Sequence, residues 1–149
     1  AGISGGDLGT NDCTANANST GMPSAMGATG SANVASNNLT LTASGLPTFA
    51  FGFFITGPMD GFTPNPGGSS GNLCVAGGIG RYVGPGEIQN SGSSGMIELL
   101  IDNTMVPTPN GFVGVSVGET RYFQLWHRDS DMTGAPTSNF TDGYEITFN

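Results

Sequence analysis

The sequence predicts an all-β fold, an antiparallel β-sandwich clipped by one disulfide, on three observations. Apolar residues alternate with a period of two along much of the chain. Gly, Pro and Asn punctuate these runs at short intervals, and helical spacing holds over no useful length. Strands at that spacing build a sandwich or barrel. Jelly-roll and immunoglobulin-like strand orders both stay open. With 149 residues, the chain has the length of one domain with a two-layer core.

The elements follow in order. Residues 1–30 are poor in large apolar side chains and rich in Gly, Ser, Asn and Ala. They read as an extended arm plus one edge strand. Residues 1–12 are taken as the arm and 13–149 as a single β-sandwich domain. Residues 38–43 put Leu39, Leu41 and Ala43 on one face before Gly45-Leu46-Pro47 breaks the run. Residues 49–56 put Phe49, Phe51, Phe53 and Ile55 on one face, with Phe54 making the other partly apolar. Residues 95–102 point Ile97, Leu99 and Ile101 one way and Glu98 and Asp102 the other. Residues 112–117 are expected to point Val113, Val115 and Val117 inward. Residues 121–128 form the next strand, and 143–148 close the chain with Tyr144, Ile146 and Phe148 in register. Residues 60–71 and 130–138 read as long loops with little to bury, where binding groups often sit on a rigid sheet.

Charge narrows the function. Charged residues make up 9% of the chain, none is lysine, and the three cations are Arg81, Arg121 and Arg128. Against eleven acids they leave a formal charge of -8. Such a chain has no footprint for phosphates, which argues against nucleic acid and anionic membranes. The longest apolar run, near residues 49–55, is too short to span a bilayer as a helix. A start at Ala1 with no leader is the expectation for a processed, exported product. The two cysteines, Cys13 and Cys74, read as a disulfide because the rest of the composition looks extracellular. Two buried thiols are the alternative. A bridge closing so long a loop is worth roughly 4 kcal/mol in the chain-entropy model.

Catalytic groups are few. His127 is the one histidine, and Asp129 and Asp131 follow it, but no Gly-x-Ser-x-Gly elbow accompanies them. Carboxylate pairs for glycoside cleavage can be drawn from Asp129, Asp131, Glu87 and Glu98, as in any acidic β-protein. One His and two paired Cys make a poor zinc set. The expectation is a protein that is not an enzyme and needs no cofactor.

Binding chemistry is richer. In the strand over residues 121–128, Phe123 and Leu125 share one face, while Tyr122, Gln124, Trp126 and Arg128 share the other. The second row holds the single Trp, a Tyr, an amide and a guanidinium. A sugar platform needs a flat aromatic face with fixed donors beside it, and a subunit interface favours the same residues. Burial of this face under the arm or another sheet is the plainer reading. Asp129, Asp131 and Asp142 are candidate ligands of an irregular calcium site, although the full loop pattern and its closing Glu are missing. Asn18, Asn38 and Asn139 each open a glycosylation sequon.

Several motifs occur together: Asn18-Ser19-Thr20-Gly21, Gly71-Asn72-Leu73-Cys74, Gly80-Arg81-Tyr82, Gln89-Asn90-Ser91-Gly92, Phe123-Gln124-Leu125-Trp126-His127-Arg128-Asp129 and Ser138-Asn139-Phe140-Thr141-Asp142. The set resembles an uncharacterised domain of secreted proteins in planctomycetes and similar bacteria. There the domain is a stand-alone exported protein or the C-terminal module of surface proteins. The resemblance runs over nearly the whole chain from Cys13. It implies export and a Cys13–Cys74 bridge, and it implies no activity. The expected function is a non-catalytic structural or adhesive module at the cell surface. Its partners would be further copies of itself, as in a filament, or an extracellular glycan or protein. Residues 1–12 are candidates to pair with a neighbour's open sheet edge. A carbohydrate-binding accessory module is the alternative, and a glycoside hydrolase comes third.

Overall fold

The computed structural model describes residues 8–149. Its described residues form fourteen strands: β1 (Thr10–Asp12), β2 (Ala25–Thr29), β3 (Thr40–Ser44), β4 (Phe51–Gly57), β5 (Met59–Pro64), β6 (Asn72–Ala76), β7 (Gly80–Arg81), β8 (Gln89–Asn90), β9 (Ile97–Leu100), β10 (Val106–Thr108), β11 (Gly111–Val113), β12 (Thr120–Ser130), β13 (Pro136–Phe140) and β14 (Gly143–Thr147). Every strand pairing is antiparallel, and Cys13 is bonded to Cys74. The described residues are therefore almost all β, as the alternation predicts, with one disulfide.

The central sheet runs β1–β14–β12–β4–β7, with β13 on the far half of β12 and β8 beside β7 on β4. β12 is its spine. Trp126 pairs with Phe140, whereas Phe123 pairs with Tyr144, so Gln124 and Leu125 oppose Thr141, Asp142 and Gly143. That extra residue is a β-bulge, and it re-aims the chain. Phe140 joins the outer face, while Tyr144, Ile146 and Phe148 turn to the core.

The second sheet, β2–β3–β9, lies against the inner face of the first. Its register sets Met26, Ala43 and Ile97 in one row and Ala28, Leu41 and Leu99 in the next. They meet Phe54, Phe123, Leu125, Tyr144 and Ile146 from the central sheet. At about 25 cal/mol per Å² of apolar surface, each large side chain buried here stabilises the fold by roughly 1.5–3 kcal/mol. The expected inward residues of 38–43, 95–102 and 143–148 all lie in or against this core.

Three expectations are corrected. Val113 and Val117 are exposed, and only Val115 of that run is buried. Its strand ends at Val113, and β10–β11 form a separate two-stranded ribbon. Residues 60–71 are not a bare loop: β5 pairs with β6, and this hairpin crosses the outer face of the central sheet. Gly71 permits the approach, since a Cβ there would strike the Asn139 side chain and the Phe140 amide. The loop expected over 130–138 is shorter, because β12 runs to Ser130 and β13 begins at Pro136, which leaves residues 131–135 as the turn between them. As for the arm, Thr10–Asp12 already pairs with β14 in the same chain, and residues 1–7 lie outside the described residues.

Candidate functional site

β4 puts Phe51, Phe53 and Ile55 on the outer side, away from the main core, and Phe54 into it, while Phe49 stands in the turn before the strand. Phe54 is fully buried, while Phe51 is 55% exposed and Phe49 68% exposed. Phe49 also sits at φ 55°, a left-handed conformation that is costly for a bulky side chain. Its amide donates to the Gly92 carbonyl at 2.9 Å, which holds the turn in place. Phe53 pairs across to Trp126, and their ring centroids lie 5.1 Å apart at a 32° tilt. The Arg128 guanidinium lies over the Trp126 ring at 5.2 Å, a cation–π arrangement.

The four residues expected to form one row divide in three ways. Gln124 is fully buried beneath the β5–β6 hairpin. Its Oε1 accepts the Cys74 N–H at 2.9 Å, and its Nε2 donates to the carbonyls of Asn72 at 2.8 Å and Thr141 at 2.7 Å. Gln124 is a clamp between layers and offers nothing to a ligand. Tyr122 sits at an acidic end, where partial burial and then the carboxylates of Glu145, Asp60 and Asp12 raise its phenol pKa. Trp126 and Arg128 remain at the open end, half-buried and exposed respectively.

That end adjoins a cleft of about 240 Å³ between sheet and hairpin. Phe53, Ile55, Trp126 and Phe140 form its sheet side, Pro66 and Leu73 its hairpin side, and Ile79 and Arg81 the rest. A second depression, about 420 Å³, adjoins Arg128 and is lined by Phe49, Ser19, Thr20 and Asp129 among others. Arg121, by contrast, is buried, bonding Glu119 at 3.1 Å and Thr56 at 3.3 Å. Among the described residues, then, the two exposed arginines, Arg81 and Arg128, both border the Phe53–Trp126 pair. Sequence reasoning missed Phe49, Phe51, Phe53 and Arg81. Their period-two spacing was visible, but not which face the hairpin would leave open.

Asp129, Asp131 and Asp142, the calcium candidates, stand apart from one another. Among the described residues, no three His, Cys, Asp or Glu side chains gather to hold a metal. Asp129 accepts from the Ser19 amide at 3.0 Å and from Asn139 at 3.3 Å. Asp131 closes its own turn by accepting from Thr133 and Ala135, and those bonds lower its pKa. Asp142 accepts the Met26 amide at 2.8 Å, and burial raises its pKa. Each carboxylate accepts from a different stretch of backbone, and Asp129 and Asp142 accept from Asn139 and Asn11 as well.

His127 is buried on the inner face. Its Nδ1 lies 2.8 Å from the Arg128 carbonyl, which can only accept, so Nδ1 carries the proton and Nε2 faces the Ser24 hydroxyl at 3.4 Å. Burial lowers its pKa. Ser24 is buried as well, so this Ser–His pair is closed to solvent, and a backbone carbonyl rather than a carboxylate orients the ring. Two of the three sequons are closed too: Asn18 and Asn139 are buried with their amides donating to Gly45 and Ala17, whereas Asn38 is exposed.

Comparison with known proteins finds no match: no family model, no curated protein and no solved structure matches the chain.

Proposed function

We propose that this chain is a non-catalytic, extracellular adhesive module that meets its partner through the aromatic outer face of the central sheet. One observation carries the reading: Phe51, more than half exposed, lies on the same face of β4 as Phe53, which packs on Trp126, and Phe49, also more than half exposed, stands in the turn just before that strand. Solvent-facing phenylalanines contribute little to folding, and a contiguous aromatic patch marks a contact surface. The disulfide and the Gln124 clamp fasten the β5–β6 hairpin beside these rings and leave Phe51 uncovered. The disulfide also favours an oxidising, extracellular setting.

The test uses beads coated with the protein, scored for retention on neutral polysaccharide, on acidic polysaccharide and on beads bearing the same chain. The expected result is adhesion to at least one surface, reduced about tenfold or more in the Phe49→Ala/Phe51→Ala variant. Adhesion to none of them, or adhesion indifferent to that double substitution, would overturn the proposal.

Self-assembly by strand addition is a second reading, favoured by β1. This three-residue strand is an edge of the central sheet and comes from the N-terminal segment. Deleting residues 1–12 should then remove higher-order species from size-exclusion profiles.

A further inference from the structure

Phe49 sits in a turn at φ 55° with its side chain 68% exposed, so the fold gains little from a bulky residue there. The same residue walls the depression of about 420 Å³, together with Ser19, Thr48, Arg128, Asp129 and Ser130. A wider hollow of about 780 Å³ is lined by Ser19, Asp129 and Ser130 as well, and it continues past Ser70 to the exposed Met132. The two hollows meet at those three shared residues and make one groove at the Ser130 end of β12. Both volumes fall within the range of small-molecule sites, about 300–1,000 Å³.

The lining selects a class of ligand. Among the described residues, the Arg128 guanidinium and the hydroxyls of Ser19, Thr48 and Ser130 meet no hydrogen-bond partner of the chain. Packing over the Trp126 ring holds the guanidinium in place and leaves its N–H groups unused. Asp129 is held by the Ser19 amide at 3.0 Å and by Asn139 at 3.3 Å, and its oxygens keep further lone pairs. Pure donors, a pure acceptor and hydroxyls that do both therefore line one space. Arg128 and Asp129 cancel, so a small ion of either sign gains little here, and the overall charge of -8 repels a polyanion. An apolar ligand would strip these polar groups of water and give nothing back. A peptide strand needs free backbone amides, yet those of Ser19, Thr20, Phe49 and Ala50 already donate within the chain. A neutral saccharide meets every demand: its hydroxyls donate and accept, and its C–H face suits an aromatic ring.

We infer that this groove binds a neutral oligosaccharide, with one pyranose ring against Phe49 and its hydroxyls shared among Arg128, Asp129, Ser19, Thr48 and Ser130. This rests on the adhesive reading above and names its partner. Two joined hollows hold more than one sugar ring, so a chain binds more tightly than its monosaccharide. The left-handed turn at Phe49 then serves the site, since it stations an aromatic ring at the groove wall, outside β4.

The experiment titrates the protein calorimetrically with four soluble neutral glycans, dextran, laminarin, galactomannan and arabinoxylan. Dextran sulfate, gelatin and the constituent monosaccharides serve as comparisons. At least one neutral glycan should bind, with an affinity that changes less than about twofold from low to high salt, because no counterions are released. Its monosaccharide should bind at least about tenfold more weakly, having fewer contacts to offset the cost of association. Phe49→Gly and Arg128→Gln should each weaken binding about tenfold or more, through a lost aromatic contact and lost charge-assisted hydrogen bonds. Phe49→Gly should do so with a melting temperature equal to or above the parent's, since glycine adopts a positive φ without strain. A residue kept for folding would lower it, and that result overturns the inference. So does binding to none of the four glycans, binding indifferent to either substitution, or equal or tighter binding of dextran sulfate, gelatin or the monosaccharide. If coated beads adhere through Phe49 and Phe51 to acidic polysaccharide or to one another while no neutral glycan binds, this inference fails and the adhesive module stands. If neither occurs, both fail.

Discussion

Gln124 offers the sharpest test of how the layers are held together. Its amide is fully buried and satisfies three backbone groups at once: the N–H of Cys74 and the carbonyls of Asn72 and Thr141. Gln124→Met keeps the length of the side chain and removes all three bonds. Each bond is worth about 1 kcal/mol net, and each backbone group left dry costs about 1–3 kcal/mol, so partial relaxation leaves a loss of about 3–5 kcal/mol. For a chain of 149 residues the unfolding entropy is about 0.3 kcal/mol/K, which converts the loss to a fall in Tm of about 10–15 °C. Thermal and urea melts at pH 7 measure it. Gln124→Glu serves as a control with a distinct signature. Its carboxylate still accepts from Cys74 but confronts two carbonyls, so its folded pKa lies above the unfolded value of about 4.3. The folded state then holds the proton more tightly, and this variant should gain stability as pH falls and lose it as pH rises through the raised pKa. A Gln124→Met protein within about 1 kcal/mol of the parent would refute the clamp, and with it the idea that the hairpin is fastened to the sheet from beneath.

Two further outcomes test the frame. Replacing both cysteines, Cys13→Ser and Cys74→Ser, releases a loop whose ends are 61 residues apart, and should cost about 4 kcal/mol, or about 13 °C in Tm; a loss below about 1 kcal/mol counts against a stabilising clip. His127 is held neutral by burial, with a folded pKa below the unfolded value of about 6.5. The unfolded chain takes up a proton that the folded one refuses, so stability present above pH 6.5 drains away as pH falls below it. Urea midpoints between pH 8 and 5 should reveal this loss in the parent and not in His127→Gln. The variant also separates it from Asp12 and Asp142, whose raised pKa values act with the opposite sign.

The core was legible because alternation and burial coincide there. Leu39, Leu41 and Ala43 face inward with polar neighbours between them, and the same holds for Ile97 and Leu99 around Glu98. The outer face was not legible, because periodicity reports which residues share a face and not what covers that face. Phe49, Phe51, Phe53 and Ile55 make the more apolar side of their segment, yet the inward side holds Gly52, Phe54 and Thr56. The reason lies in pairing. Gly52 fits against the Trp126 carbonyl and the His127 Cβ, where any side chain would collide, and the Thr56 hydroxyl donates to the Tyr122 carbonyl. Those contacts join positions some seventy residues apart and leave no mark on local sequence. The bulge opposite Gln124 and Leu125 is equally silent, although it decides that Phe140 belongs with Trp126 and Tyr144 with the core. A fold under stability alone would turn its richer aromatic face inward. Here the hairpin covers one end of that face, the disulfide and Gln124 fix the cover, and Phe51 and both exposed arginines are left uncovered. An aromatic surface kept open at the cost of a strained Phe49 is more economically explained by contact with a partner than by folding.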